Sequence, residues 1–429
     1  MSRLSLPLVS RPVERTALPA HLYVHVPLCS SKCAYCDFCS VPDDGAISHA
    51  DLVTSTVFAA VGWQRFGMEP APLQSLYVGG GTPSVLGGYL RMLLTGIVRV
   101  YPLAPGAEVT VEANPESLDA RLVCDLVAAG VTRVSLGVQS LDDGTLSWLG
   151  RAHDAERAIE AMLLVAASGL DLSVDLMCGL PRVPESRWRA TLRSVVECGA
   201  THVSVYPLSV EDGTPLASRV RSGRAALPDD DIAAEEMIVA AEELSALGLA
   251  RYETANHALP GKESRHNTAY WTGRPYLGIG AGAHGMLTGE QARLAGLLGE
   301  DKAARTARVR YAYGSDRLLL DGACEVEVLE TLDAAEALRE DAMLGLRLSA
   351  GIPFELAERS GVVPALEALE ADGLVERAGG RWRTTERGWL LGNEVFGRVL
   401  DADGTPPASP GGFDARSARV LSSSGTRQA

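Results

Sequence analysis

A chain of 429 residues with a formal net charge of −15 is too long for one average domain and too acidic for general affinity for nucleic acid, although a local basic patch remains possible. Eight cysteines, among them Cys124, Cys178 and Cys198 isolated in apolar stretches, read as reduced thiols of a cytoplasmic protein and not as a disulfide framework. No apolar run reaches the roughly 18 residues that a membrane-spanning helix needs, and the stretch LSLPLVS, broken by Pro7 and ended by Arg11, is too short for a secretory leader.

Residues 1–20 read as a tail. The first strand-like segment, LYVHV at 22–26, runs into PLCSSKCAYCDFCS, where Cys29, Cys33 and Cys36 follow as Cys-x3-Cys-x2-Cys. Three thiolates on one short loop suit a cubane iron–sulfur cluster and leave its fourth iron without a protein ligand. A cluster kept for electron transfer alone is normally ligated at every iron. Two other readings compete. Cys33, Cys36 and Cys39 imitate the opening of a bacterial ferredoxin run, yet the fourth ligand of that run falls at Asp43. A structural zinc site takes two ligand pairs separated by a longer loop, whereas these sulfurs crowd into one segment. Cys39 reads as a bystander or as packing beside the cluster.

Further strand-like segments recur at SLYVGGG (75–81), EVTVEANP (108–115), RVSLGVQS (133–140), DLSVDLMCGLP (171–181) and THVSVYPL (201–208). Between them lie stretches of helical spacing such as AERAIEAMLLVAASG (155–169) and ESRWRATLRSVVECG (185–199). Six strand–helix alternations predict a parallel sheet in an α/β fold, and in a barrel of that kind the chemistry sits at the C-terminal ends of the strands. Those ends carry the cysteine loop, GGGTP, Glu112 with Asn114, Gln139 and Asp175. Gly79, Gly80 and Gly81 let backbone approach a ligand closely, or simply turn the chain with Pro83 opening a helix. Glu112 offers a carboxylate where ribose hydroxyls could be held. Gln139 and Arg151 are placed to reach a cofactor carboxylate, to cap a helix or to pair with Asp142. Asp175, among Val174, Leu176 and Met177, needs a partner, because an unpaired buried charge is costly.

Beyond residue 285, the segment 286–333 mixes Arg293, Lys302, Arg305, Arg308, Arg310 and Arg317 with acids and reads as a solvated link. Residues 334–400 read as three helices, a strand pair turning at Gly379-Gly380 and a last helix, a small α+β module of winged-helix-like pattern. Acids interspersed among its arginines favour packing or partner docking over DNA binding. Residues 401–429, rich in Gly, Pro and Ser, are expected to be disordered.

Taken in order, LYVHVPLCSSKCAYCDF, GGGTPS, EANP, GVQS, LGRAH, DLMCGLP, VEDGTPL, RYETANHALPGKESRHNTAYW and YLGIGAGAH resemble the radical S-adenosylmethionine superfamily. Within it they are similar to the oxygen-independent coproporphyrinogen oxidase-like group, and best to its haem-chaperone branch. The likeness spans 21 to 285 and resumes with MLGLRL and RTTERGWLLGNEVFGRVL. It implies a partial (β/α)6 TIM-like radical SAM barrel with a haem-binding extension over 21–285, and a HemN-C or winged-helix-like domain at 334–400. It implies a 4Fe-4S cluster on Cys29, Cys33 and Cys36, whose open iron binds the amino and carboxylate groups of S-adenosylmethionine and passes it an electron, breaking the S–C5′ bond to a 5′-deoxyadenosyl radical. By the same likeness, Tyr23, Tyr35, Gly80, Gly81, Thr82, Glu112, Gln139, Arg151 and Asp175 line the S-adenosylmethionine site.

Two features separate the branches. The oxidase branch carries a further cysteine two residues after the third ligand and a longer arm before the cluster; here that position is Phe38, and 28 residues precede Cys29. RHNTAYW is similar to the His-Asn-x-x-Tyr-Trp element linked to haem in the chaperone branch. His266 would supply an imidazole for iron, with Tyr270 and Trp271 as flat apolar surface, or these residues are a hydrogen-bonded core histidine and its aromatic packing. Leu28, Cys39 and His257 depart from the family pattern, and His257 and His284 are further candidate haem ligands. The expected function is a haem chaperone that hands haem to an acceptor protein, a respiratory one among the candidates, with an electron donor for the cluster and neither nucleic acid nor a membrane span. The alternative is an oxygen-independent coproporphyrinogen III oxidase, which decarboxylates two propionates; an iron–sulfur or zinc protein without S-adenosylmethionine is a third class.

Overall fold

The computed structural model describes residues 17–64, 68–181, 183–227, 230–314 and 326–402. The six expected segments form strands β1 (His21–Val26), β2 (Leu73–Gly80), β3 (Leu103–Ala113), β4 (Arg133–Gln139), β5 (Asp171–Cys178) and β6 (Ala200–Pro207), hydrogen-bonded in that order and all parallel. Their near-continuous apolar runs fit this arrangement, because a parallel strand is covered on both faces; every residue of β1 is buried.

Helices α1 (His49–Gln64), α2 (Gly88–Val100), α3 (Ala120–Ala128), α4 (Ala155–Ala167) and α5 (Glu185–Glu197) cross between successive strands, and α6 (Asp230–Ala246) follows β6. Local chemistry sets their starts. The Asp119 carboxylate accepts from Leu122 N and that of Asp154 from Arg157 N, each satisfying a donor that the first turn leaves unpaired. Each helix then buries one stripe: α4 turns Ala158, Ala161, Met162 and Val165 inward.

Beyond β6 the sheet gains β7 (Asn256–Ala258), antiparallel to β6, while β8 (Leu277–Ile279) adds in parallel to the free side of β1. Among the described residues the barrel-like sheet runs from Ala250–Arg251 at one edge to β8 at the other, with no pairing between those two edges. A seven-residue helix, α7 (Arg265–Trp271), seats itself at the N-terminal end of the strands. There the Glu108 carboxylate of β3 accepts from Arg265 N at 3.0 Å and His266 N at 3.1 Å while pairing with Arg133 of β4 at 3.0 Å. Ser264 caps the same helix through Asn267 N.

The segment expected to be a solvated link is partly sheet. Strands β9 (His284–Leu287), β10 (Arg308–Tyr313) and β11 (Val326–Leu332) form an antiparallel sheet, with Val309, Tyr311 and Tyr313 in the main core and Trp63 Nε1 donating to the Tyr313 hydroxyl at 2.9 Å. Arg308 and Arg310 are not solvated: Arg308 pairs with Glu340 and Asp341, and Arg310 with Glu330 and Glu340. A charge run predicts exposure only until acids from another element close over it. Arg317 lies outside the described residues.

The C-terminal part contains helices Ala334–Gly345, Phe354–Arg359 and Val363–Ala371, then the hairpin Val375–Ala378 and Arg381–Thr384, with Ile352–Pro353 as a third strand. The hairpin turns where expected, at Gly379 and Gly380, whose φ values of 58° and 75° suit the two-residue turn. Helices Glu386–Leu390 and Gly392–Leu400 complete a core of its own around Leu346, Ile352, Leu366, Leu369, Trp382 and Val395. The tails expected at 1–20 and 401–429 lie, but for 17–20, 401 and 402, outside the described residues. Among the described residues no helix is long and apolar enough to cross a membrane.

Candidate functional site

The C-terminal ends of β1 to β5 meet at one mouth, where the cysteine loop leaves β1. Leu28 and Cys29 pair in parallel with Val41 and Pro42, which closes the loop at its base. Cys29 is buried, and Cys33 and Cys36 are half-buried. The His25 imidazole ties down the far end. Its Nε2 lies 2.8 Å from the Cys39 carbonyl and its Nδ1 2.9 Å from the Tyr23 hydroxyl. A carbonyl only accepts, so Nε2 carries the proton and Nδ1 accepts from Tyr23. Burial pushes this imidazole down to about 4, which keeps it neutral.

The glycine turn after β2 packs against this loop. Gly80 has φ 114°, and a side chain there would begin 2.5 Å from the His25 ring; one at Gly81 would begin 2.4 Å from the Leu28 carbonyl oxygen. Gly80 N donates to Glu112 Oε2 at 3.0 Å, and the Tyr77 hydroxyl donates to Oε1 at 2.8 Å. Burial pushes the Glu112 carboxyl up to about 7, opposed by the Tyr77 bond and assisted by the nearby charge of Asp175. Asp175 accepts from Ser135 Oγ at 3.2 Å and is itself pushed by burial to about 6. Two acids at the end of the sheet, one held by a backbone N–H, suit a cationic ligand rich in hydroxyls.

Arg151 gathers the other side. Its Nη1 donates to Cys33 Sγ at 3.2 Å, and its Nη2 to Asn114 Oδ1 and to the Gly137 carbonyl, each at 2.7 Å. Asn114 Nδ2 in turn donates to the Thr82 hydroxyl at 2.9 Å. Tyr35 lies beside Arg151, Cys33 and Cys36. Gln139 is the one non-glycine residue with positive φ, 65°, among the described residues, and it stands where the β4–β5 ladder slips between Gly137 and Gln139. Such strain persists only where the surroundings enforce it.

Among the described residues no three His, Cys, Asp or Glu side chains are grouped as ligands of a single metal ion. A cubane cluster sets its thiolates farther apart than one ion does, and the donor set is of the right chemistry. Cys36 is pushed up to about 11, by burial first and also by the Cys33 and Cys29 sulfurs beside it, while a guanidinium faces Cys33. Sulfurs gathered on one loop beside a guanidinium are the kind of donors that an iron–sulfur cluster takes as thiolates.

The sequence passed over His25, Tyr77 and Glu116. Glu116 accepts from Ser30 Oγ at 2.8 Å and lies 3.2 Å from His153 Nδ1; burial raises it, but the bond to His153 and the Arg151 charge hold it down to about 2. A signal existed for His25: with Tyr23 it marks alternate positions of β1, a polar file within an apolar strand.

His266 lies inside the sheet. Its Nδ1 is 2.8 Å from Ser75 Oγ, its Nε2 is 2.8 Å from the Tyr270 hydroxyl, and its ring stacks on Tyr77 at 5.2 Å. Burial pushes it down to about 3. Both nitrogens are therefore engaged, and ligation of iron would require one bond to open. Tyr270 packs edge-on against Tyr276, and Trp271 faces the C-terminal domain. His257 is buried in β7, and His284 begins β9, so the three candidate imidazoles stand on three different elements. Cys39 packs on the GAGAH loop, where a side chain at Gly282 would begin 2.7 Å from its sulfur.

Comparison with known proteins places these features in a family. Residues 23–195 match the radical SAM superfamily and residues 332–391 the HemN C-terminal domain. The chain is 37% identical over 389 residues to heme chaperone HemW of Mycobacterium tuberculosis, covering 89% of this chain and 95% of that protein. To heme chaperone HemW of Escherichia coli K12 it is 34% identical over 394 residues, covering 88% and 97%. The solved structure of the radical SAM enzyme coproporphyrinogen III oxidase (HemN) from Escherichia coli shares the fold at TM-score 0.70, with 18% identity over 90% of this chain and 91% of that one.

Proposed function

Because this chain belongs to the radical SAM superfamily and, within it, to the HemW haem-chaperone branch close to HemN, we propose that it is a cytoplasmic haem chaperone, which binds haem and passes it to an acceptor protein. The observation that carries this reading is identity of 34–37% across nearly the whole length of two proteins named haem chaperones. Phe38, where the oxidase branch has its extra cysteine, supports it. The open six-unit sheet is read as the partial (β/α)6 barrel of the superfamily.

In this reading Cys29, Cys33 and Cys36 would hold a 4Fe-4S cluster, and an electron-donor protein would be its partner. When bound, cluster and S-adenosylmethionine together supply one-electron cleavage of a sulfonium bond. The protein's own residues bind and orient. Glu112, fixed by Tyr77 and Gly80 N–H, receives ribose hydroxyls, and its value of about 7 lets it act as donor or acceptor near neutrality. The strained Gln139, Arg151 and Asp175 take the polar groups of the cofactor, and Tyr23, Tyr35, Gly80, Gly81 and Thr82 wall the site. Haem is assigned to the other end, on the flat surface of Tyr270 and Trp271, with His266 as its ligand once released from Ser75 or Tyr270.

Anaerobically reconstituted protein is expected to retain haem stoichiometrically and to leave coproporphyrinogen III unconverted in the presence of S-adenosylmethionine and reductant, as followed by absorbance and chromatography of porphyrins. Sustained decarboxylation with no haem retained would transfer the chain to the oxidase reading.

A further inference from the structure

The sheet and the C-terminal domain meet over Trp271, the last residue of α7. Arg347 of the C-terminal domain lays its guanidinium on the Trp271 ring, with Cζ 4.9 Å from the ring centroid, and on Phe396, at 4.7 Å. The cation is thus clamped between an aromatic face from each part of the molecule. Stacking leaves the N–H groups of a guanidinium to find acceptors elsewhere, and among the described residues this one is shown bonded to none. Arg347 Nε is shut off from solvent with no acceptor, and Trp271 Nε1 is buried in the same condition. The opposite charge that acts on Arg347 is Glu253, whose carboxylate is spent on the backbone, accepting from Ala255 N at 2.9 Å. The neighbouring contacts between the two parts bypass the guanidinium: Ser349 N donates to the Tyr252 carbonyl at 2.9 Å, and Trp389 Nε1 to the Thr254 carbonyl at 2.8 Å.

A buried donor without an acceptor costs free energy, and two of them in stacking contact share that cost at one place. A guanidinium with its plane fixed and its edge free is the group that receives a carboxylate through parallel N–H bonds. We propose that Arg347 and Trp271 form a carboxylate site at the seam between the sheet and the C-terminal domain, and that its occupant is a propionate of haem; the carboxylate chemistry stands on this geometry, while the haem source rests on the chaperone reading above. The seam then orients the macrocycle by its acidic edge, at a place separate from the cysteine loop.

The test is anaerobic titration of the full, cluster-reconstituted chain with haem and with haem dimethyl ester, in which both propionates are masked, followed by Soret absorbance. The unmutated protein is expected to prefer haem over the ester by about tenfold, the scale of a charge-assisted hydrogen bond. Arg347→Gln should abolish that preference by weakening haem alone, with the ester's affinity unchanged. Trp271→Phe, which keeps an aromatic face for Arg347 and removes the N–H, should lose part of it. A full preference retained in Arg347→Gln overturns the site. If that variant loses both probes through misfolding, Trp271→Phe decides, and an undiminished preference there overturns the proposal. Equal binding of haem and ester by the unmutated protein overturns the site and leaves the chaperone reading standing; binding of neither overturns both.

Discussion

Glu112 sits where the demands on the mouth conflict: it accepts from Tyr77 and from Gly80 N–H, yet lies in a water-poor site with Asp175 nearby. The unfolded carboxyl ionises near 4.5, and the folded one holds its proton to about 7. Between these values the folded state binds more protons, so stability falls as pH rises through that window. Glu112→Gln removes this term. Denaturant unfolding of cluster-free protein should therefore show the variant gaining on the unmutated chain by about 1–3 kcal/mol between roughly pH 5 and pH 8. A gain in the opposite direction would mean that the folded carboxylate is ionised throughout. Glu112 was legible as a candidate because it ends a strand beside Asn114. His25 was marked only by its place in the polar file with Tyr23, since its partner, the Cys39 carbonyl, belongs to the backbone and leaves no mark in the sequence.

At the scale of elements, the cysteine loop and α7 show different degrees of legibility. The loop's three proposed ligand positions, Cys29, Cys33 and Cys36, are local, and their spacing alone makes them candidates. Cys39 is local in sequence yet faces the 280–282 turn, more than two hundred residues on, with its sulfur 3.9 Å from the Ala281 carbonyl. Iron and sulfide analysis, with electron paramagnetic resonance, should accordingly find the cluster lost in Cys29→Ser, Cys33→Ser or Cys36→Ser and retained in Cys39→Ser. Loss in Cys39→Ser would make it a ligand or show that the turn supports the loop. For α7, the sequence displayed His266, Tyr270 and Trp271 as one ligand-like patch. The fold keeps His266 bonded to Tyr270 and turned inward to Ser75, while helical spacing turns Trp271 outward to Arg347. A helix of seven residues has little stability of its own, and the Ser264 cap and the Glu108 carboxylate hold it in place.

Across the whole molecule, six parallel strands and a C-terminal module were readable because both rest on local periodicity. The three-stranded sheet built from β9, β10 and β11 was hidden, since its arginines look solvated until Glu340 and Asp341 arrive from another element. The C-terminal domain has its own core and is fastened to the sheet by the pairs of Arg308 and Arg310 with Glu340 and Asp341, by Arg347 on Trp271, and by Trp389, which donates to Thr254 and carries Arg251 on its ring at 4.1 Å. Trp389→Ala should cost about 3–5 kcal/mol at this seam. Hydrogen exchange is expected to rise along 250–256 and 386–391 while β1 to β5 stay protected; unchanged exchange at 250–256 would show that other contacts hold the domain. One consequence of the seating of α7 concerns the order in which the chain is made. His266 meets Ser75 across 191 residues and Glu108 across 158, so the floor of the sheet is completed by one of its last pieces to leave the ribosome. Until then the six strands β1 to β6 can pair, but Glu108 and Arg133 remain uncovered and the apolar interior is open from below. The nascent chain therefore passes through a stage with an assembled sheet and a wet core, the interval in which it is most exposed to misassembly.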